Sequence, residues 1–582
     1  MEQADIDRFR QARFGMFIHW GLYSSLGGRW QGQAMDYIGE WVQSRFRIPN
    51  HDYAALAGQF NPLNFNADDW VKTAKNAGMN YLVFTAKHHD GFALYHSRTS
   101  RYNIVEATPF GRDVLRELAE ACHRHEMKLG IYYSHCLDWH ESDGADPGPE
   151  SPKNFGMSWG NDWDYPDHHA KHFSRYFENK AKKQITELLT GYGPVFLLWF
   201  DCPLTLTQEQ GWELRTLVHA LQPHCLISGR IGHGLGDFGS LGDNQHPAGQ
   251  SDFPLESPNT LNHTWGFKWD DHGWMGAQQV VGDLAALNEK NVNYLLNIGP
   301  CGDGSFPEPA MDLLRKVAAW RQSAQVAIQR TQPNPFPQSF PWGWCTVSGK
   351  TLQFFVRDWN TRLVISGLRN KITSCTVPFA QSGETLTLVL PERDDSLLPV
   401  IKVAFAGELD IDQRLMPQSG VLLLIPSTGT VCHGALAAGT GLTASRGAAA
   451  EVMEEEPVCS IDSSGALTQW QHPGDGAGWP VYFPLGGAYQ VSALTENRCH
   501  SAPWVGARTV EVTFSNQTLT AVLNLDEKIG SAYYSKAVSE LGTLHAAAGE
   551  SATISIKTLG ISLKDAVNMN LTAIKLQQLD DR

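Results

Sequence analysis

Over residues 1–325 the hydrophobic period of the chain switches repeatedly between helix-like spacing and short apolar runs. This alternation constrains the fold more than any other feature. Asn66-Ala67-Asp68-Asp69 has the form of a capped helix start, Trp70, Val71, Ala74 and Ala77 give one apolar face, and Gly78 supplies the stop. Tyr81-Leu82-Val83-Phe84-Thr85-Ala86 follows as a strand. The same reading predicts helices over 112–127, 168–189, 209–221 and 277–288. They lead to strands at 129–133, at Val195–Phe200 ending on Asp201, at 226–229 and at 292–297. With Met16-Phe17-Ile18 as the first strand, these units imply a parallel sheet. The expected fold class is α/β, a (β/α)8-like barrel over 1–325. Between Arg230 and Gly273 only loops and short strands can be read, with no helix.

After Pro333-Asn334-Pro335 the pattern becomes all-β. Leu352–Val356, Arg362–Ile365 and Val421–Ile425 read as strands of a β-sandwich spanning 333–426. Residues 427–457, rich in Gly, Ala, Ser and Thr and closed by Glu454-Glu455-Glu456, read as a linker whose first residues leave room for a strand. A second C-terminal β domain is expected over 432–582, with alternation in Thr509–Phe514. Its Trp470, Trp479, Tyr482, Tyr489 and Trp504 are either core aromatics or the face of a carbohydrate-binding module.

Acidic residues exceed basic ones by 15, which argues against nucleic acid or an anionic membrane as partner. The ten cysteines include no CxxC pair, so neither a disulfide framework nor a structural zinc site is expected. No apolar run reaches the roughly 18 residues a membrane span needs. The N-terminal residues carry no basic and apolar leader pattern. The expected location is therefore the cytoplasm, or the periplasm or exterior if a presequence has been removed.

Chemistry-bearing residues gather where the expected strands end. They are His19-Trp20, Lys87-His88-His89-Asp90, Tyr133-Ser134-His135, Trp199 with Asp201, Arg230, Glu256 in a further loop, and Trp265. Catalytic groups of a parallel barrel collect at this C-terminal mouth. Two carboxylates among several His and Trp suit a carbohydrate, which offers hydroxyls and apolar ring faces. The rival readings of the histidines are a metal site and side chains that order a loop. His88 and His89 are adjacent rather than His-x-His, so both reach one ligand only if the strand bends. Gly234-Leu235-Gly236-Asp237-Phe238-Gly239 fits a dinucleotide pattern, but no helix opens behind it, and it reads as a flexible loop.

Five segments carry a family resemblance: Arg13-Phe14-Gly15-Met16-Phe17-Ile18-His19-Trp20-Gly21, Gly39-Glu40-Trp41, Lys87-His88-His89-Asp90-Gly91-Phe92, Trp199-Phe200-Asp201 and Leu295-Leu296-Asn297-Ile298-Gly299-Pro300. With Trp265-Gly266-Phe267, they resemble the α-L-fucosidases of glycoside hydrolase family 29. The resemblance implies a retaining exo-hydrolase of terminal α-L-fucose with no metal or other cofactor, acting on fucosylated oligosaccharides or glycoconjugates. It places the nucleophile on Asp201 and fucose contacts on His19, Glu40, Trp41, His88, His89, Tyr133, Trp199 and Arg230. Trp265 joins the expected sugar-binding residues. Glu256 falls in the string that carries the acid/base in one branch, though Leu255, Pro258 and Cys202-Pro203 depart from the family pattern. The loop 232–254 resembles in length a branch that prefers α-1,3- and α-1,4-linked fucose. The alternatives are another retaining barrel glycosidase, such as an α-galactosidase, and a non-catalytic carbohydrate-binding protein.

Overall fold

The structure, a computed structural model, describes residues 2–145, 159–392, 396–434, 458–497, 508–523, 527–530, 535–561 and 569–579. The chain divides into two compact units. One comprises Met1–Gln245, Asp252–Thr331 and Ser396–Leu398, and the other comprises the remaining residues.

The first unit is built on eight parallel strands: β1 (Phe14–Ile18), β2 (Tyr81–Lys87), β3 (Lys128–Ser134), β4 (Leu197–Asp201), β5 (Leu226–Ile227), β6 (Gly239–Ser240), β7 (Leu255–Thr260) and β8 (Val292–Ile298). They lie in the order β5-β4-β3-β2-β1-β8-β7-β6. The two edges meet at a parallel bridge between Ser228 and Phe238, which curls the sheet into the expected barrel. Phe17, Val83, Tyr132, Leu197, Trp199, Leu226, Phe238 and Leu295 pack together in its interior.

The helices follow from local chemistry. In α1 (Ala67–Ala77) the Asn66 side chain accepts from the Asp69 amide, and Gly78 ends the helix in the left-handed conformation that glycine adopts without strain. Asp113 caps α2 (Val114–Arg124). Thr207 and Gln210 form a reciprocal capping box on the helix Gln208–Leu221.

The helix expected over 168–189 is broken. A 3-10 turn (His168–Ala170), a short α segment (Phe173–Tyr176) and a π turn (Phe177–Ala181) precede α3 (Lys182–Gly191). The irregular turn accompanies the burial of Lys180, whose Nζ lies 2.9 Å from both Asp138 and Glu141. Electrostatic partners of this kind are invisible to hydrophobic periodicity. The sector from Arg230 to Gly273 holds β6 and β7 with no α-helix of its own. The glycine-rich string 234–239 runs into β6 rather than into a helix N-terminus, so it lacks the phosphate-binding element.

The second unit is antiparallel. A four-stranded sheet (Gly343–Ser348, Thr351–Val356, Val400–Phe405, Ile372–Cys375) and a three-stranded sheet (Arg362–Ser366, Thr385–Val389, Phe379–Ser382) share one apolar core. Val421–Leu424, expected to close this sandwich, instead pairs with Met569–Gln578 in the next sheet, and Leu422 and Leu424 enter that core. A local apolar run reads as a strand, but its partner is about 150 residues away in sequence, and nothing local specifies it. Thr430–Cys432 is a strand on Gly476–Phe483, while 435–457 of the expected linker lie outside the described residues. Trp470, Trp479 and Tyr489 are buried in the core of the second β region. Tyr482 is half-buried beneath Arg414, and Trp504 lies outside the described residues.

Candidate active site

Strand parity decides which side chains face the barrel interior. On β3, Tyr132 points inward. Its hydroxyl donates to Asp201 Oδ2 at 3.0 Å, and its ring stacks on Trp199 with centroids 5.7 Å apart. Tyr133 therefore points outward, against the expectation that it contacts the sugar. Its hydroxyl donates to Gln184 Oε1 on α3 at 2.8 Å, and Lys87 Nζ lies 4.9 Å from its ring centre. Sequence reading missed Tyr132, although counting alternate residues back from Ser134 would have found it.

His88 and His89 do reach the same region. The β2–β3 pairing carries an irregularity between Thr85 and Lys87, the bend that two adjacent histidines required. Their rings lie 4.1 Å apart. His88 also packs on His19 and Tyr132, with centroids at 5.7 and 5.5 Å. His19 Nδ1 is held by Asn297 Oδ1 at 2.7 Å, while Asn297 donates its own amide to the Trp265 carbonyl. Trp265 sits 5.1 Å from the His19 ring. Burial pushes the His19 and His89 pKa values down to about 3 and about 4, so both rings are neutral at neutral pH. Neutral imidazoles both donate and accept, as reading of sugar hydroxyls needs.

Glu40 and Trp41 come from a short 3-10 turn, Gly39–Trp41. Glu40 Oε2 accepts from the Gly266 amide at 2.8 Å, and burial raises its pKa to about 7. The Trp41 ring lies 5.4 Å from His89 and is walled in by Trp139 and Trp159, at 5.2 and 4.9 Å. Neither of those two indoles was read from the sequence.

Asp201 ends β4 with its side chain 14% exposed. Arg230 Nη1 donates to its Oδ1 at 3.1 Å, and the same guanidinium lies 4.7 Å from the Trp199 ring centre. Burial pushes the Asp201 carboxyl up, but the Arg230 charge and the hydrogen bonds from Arg230 and Tyr132 outweigh it and hold the group below its ordinary value. It is an ionised carboxylate in a mostly dry site. The other terminal nitrogen of Arg230 donates to Asp243, whose side chain is 29% exposed. One guanidinium thus spans two carboxylates, of which Asp243 is the more open.

Glu256 is placed differently from its expected role. It is the second residue of β7, not part of a loop, and it is fully buried. Trp199 Nε1 donates to Oε1 at 2.8 Å, and the Tyr81 hydroxyl donates to Oε2 at 2.6 Å. Burial raises its pKa to about 7. Both oxygens are engaged inside the barrel, and the carboxyl has no exposed surface from which to meet a leaving group. The string that carried the expectation is a strand here, and Glu256 lies near its N-terminal end rather than at the C-terminal mouth.

The alpha-L-fucosidase family profile matches residues 2–324. The tissue alpha-L-fucosidase of Mus musculus is 27% identical over 440 residues, spanning 72% of this chain and 87% of the mouse protein. The crystal structure of an alpha-L-fucosidase from Vibrio sp. strain EJY3 is 26% identical and superposes with a TM-score of 0.82, covering 99% of this chain and 98% of the other. The alpha-L-fucosidase AlfC from Lactobacillus casei, solved with its alpha-L-fucose product, is 43% identical, with a TM-score of 0.54 over 56% of this chain and 99% of AlfC. The profile spans more than half of the chain and covers the barrel with its mouth residues, so this chain belongs to the alpha-L-fucosidase family.

Proposed function

We propose that the chain is a retaining exo-α-L-fucosidase in which Asp201 is the nucleophile and Asp243 the acid/base. The carrying observation is the Arg230 guanidinium that joins these two carboxylates at the barrel mouth. A bridge of this length is compatible with the about 5–5.5 Å that retaining glycosidases place between their carboxyl groups. Asp201, held ionised by Arg230 and oriented by Tyr132, attacks the anomeric carbon and forms a fucosyl ester. Asp243, on the open side, delivers a proton to the departing oxygen and then takes one from the incoming water. Its contact with Arg230 must loosen as substrate enters, as apo-state contacts at active sites commonly do. His19, His88, His89 and Glu40 read the ring hydroxyls, while Trp41, Trp199 and Trp265 pack on the C5 methyl and ring face. A sugar without those hydroxyls leaves buried polar groups unpaired, which separates this reading from a galactosidase.

Asp201→Ala is expected to abolish turnover without unfolding, and azide to restore part of it as a fucosyl azide of inverted configuration. Near-parental activity in Asp201→Ala would sink the nucleophile assignment. Asp243→Ala is expected to slow oligosaccharides by about 10²–10⁴ and aryl fucosides with good leaving groups far less. If Glu256→Ala shows that split and Asp243→Ala does not, the acid/base returns to Glu256.

For linkage, α-1,6-linked fucose on N-acetylglucosamine is the first substrate to try, because AlfC, 43% identical, was solved with Fucα(1,6)GlcNAc. The α-1,3/1,4 preference suggested by the length of the 232–254 loop is the second. Relative kcat/KM on the three linkages decides between them, and faster cleavage of Lewis-type trisaccharides would favour the loop argument.

A further inference from the structure

Three donor atoms of different chemistry meet beside the nucleophile. His89 Nε2 lies 3.8 Å from Asp201 Oδ2 and 3.8 Å from Cys202 Sγ, and all three ligand atoms fall within 4.8 Å of one another. Hydrolysis needs the carboxylate but gives the thiol no task.

The hydrogen bonds around His89 fix which nitrogen faces this cluster. Ser134 donates its only hydroxyl proton to the Leu137 carbonyl at 2.9 Å. Towards His89 Nδ1, at 2.7 Å, the Ser134 oxygen is therefore the acceptor. Nδ1 carries the ring proton, and Nε2 presents its lone pair to Asp201 and Cys202. A hydrogen-bonded Nδ1–H behind a bare Nε2 is the arrangement by which proteins prepare a histidine as a metal ligand.

A tetrahedral zinc with ligands at about 2.0–2.3 Å holds its donor atoms roughly 3.3–3.6 Å apart. The two separations from His89 Nε2, 3.8 Å each, lie within about half an ångström of that range, and the third, no more than 4.8 Å, reaches it by a movement of at most about 1.5 Å. A nitrogen, an oxygen and a thiol select zinc-class ions over the hard cations magnesium and calcium, which want all-oxygen shells. Arg230 opposes a cation here, but it engages Asp201 Oδ1, whereas the cluster uses Oδ2.

We infer that His89, Asp201 and Cys202 form an inhibitory site for a zinc-class divalent cation, which captures the nucleophilic carboxylate and excludes the fucoside. On binding, the Cys202 S–H proton passes to solvent as the sulfur–metal bond forms, no electron is transferred, and a water fills the fourth position. The inhibitory consequence rests on Asp201 being the nucleophile; the binding does not.

The test uses the full chain after dialysis against EDTA. Cobalt(II) should bind with one equivalent giving a thiolate-to-metal charge-transfer band, and zinc should displace it. Zinc should inhibit hydrolysis of an aryl fucoside competitively. Cys202→Ala and Cys202→Ser should keep parental turnover, lose the band, and need at least about tenfold more zinc for the same inhibition. Absence of the band in the parent enzyme, unchanged zinc sensitivity in Cys202→Ala, or inhibition independent of substrate concentration would overturn the inference. If cobalt binds as expected, zinc leaves turnover untouched and Asp201→Ala keeps near-parental activity, the nucleophile assignment fails and the inhibitory site with it. If Asp201→Ala is dead and zinc has no effect on the parent, only the metal site fails.

Discussion

Trp199 at the barrel mouth and Trp479 in the β-built unit are both nearly fully buried indoles, at 2% and 0% exposure. Their partners differ in kind. Trp199 donates to the Glu256 carboxyl, stacks on Tyr132 and lies under the Arg230 guanidinium. Trp479 donates to the Ile425 carbonyl at 2.7 Å and packs in an apolar core, while Trp470 donates to the Met569 carbonyl and lies under the Arg508 guanidinium, 4.2 Å from its ring centre. A backbone partner satisfies an indole at little cost and leaves it a core residue. An ionisable partner in a dry site must itself be stabilised, and such arrangements persist where chemistry uses them. Burial and residue type do not distinguish the two regions; the nature of the hydrogen-bond partner does.

The sharpest way to break this comparison is to make the same change in both places. Trp199→Phe is expected to lower kcat/KM on an aryl fucoside by about 10²–10³, since it alters the ring that carries the Arg230 guanidinium, and with it the hold on Asp201, in a site that works by preorganised polarity. Trp479→Phe is expected to leave kcat/KM unchanged and to lower the melting temperature, at a cost of about 1–3 kcal/mol for an orphaned buried carbonyl and lost packing. Equal kinetic effects from the two would remove the distinction.

Glu256 supplies the next test. Burial holds its pKa at about 7 in the folded chain, above the ordinary 4.5 of a glutamate in the unfolded one. Below about pH 4.5 the group is protonated in both states and contributes no pH-dependent term. As pH rises from there to about 7, the unfolded carboxyl ionises while the buried one stays neutral, so stability falls, by about 3 kcal/mol, and then levels off. Glu256→Gln keeps the contacts in neutral form and should not show this decline. The difference in melting temperature between variant and parent should therefore grow from pH 4.5 to 7.5. A difference constant with pH would show that the carboxyl is not held neutral.

The smallest effect concerns the neighbouring tyrosines. Tyr132→Phe should lower kcat by about tenfold, through loss of the hydroxyl that orients Asp201. Tyr133→Phe should leave kcat alone and cost about 1 kcal/mol of stability through its lost bond to Gln184. The opposite ranking in single-turnover and melting measurements would mean that Tyr133, as first expected, faces the sugar.

The barrel and most of the polar side chains at its mouth were legible in the sequence. Period-3.6 segments followed by solid apolar runs located the helices Ala67–Ala77, Val114–Arg124, Gln208–Leu221 and Ala277–Glu289 but not Gln3–Ala12 or Glu308–Ala324, and the polar residues just beyond the strands, among them His19, Asp201 and Arg230, gather at one mouth because parallel strands all end on the same side. Tertiary structure decided what a linear pattern cannot carry. It set the parity that turns Tyr132 inward and Tyr133 outward, and the irregularity in β2 that brings two adjacent histidines to one place. It sealed Glu256 between Tyr81 and Trp199, and tied Asp243 to Asp201 through Arg230. It also drew Val421–Leu424 to a strand near the C-terminus. In each case the deciding interaction joins groups far apart in sequence. Hydrophobic period reports only whether a residue is buried, not which partner is waiting where it is buried.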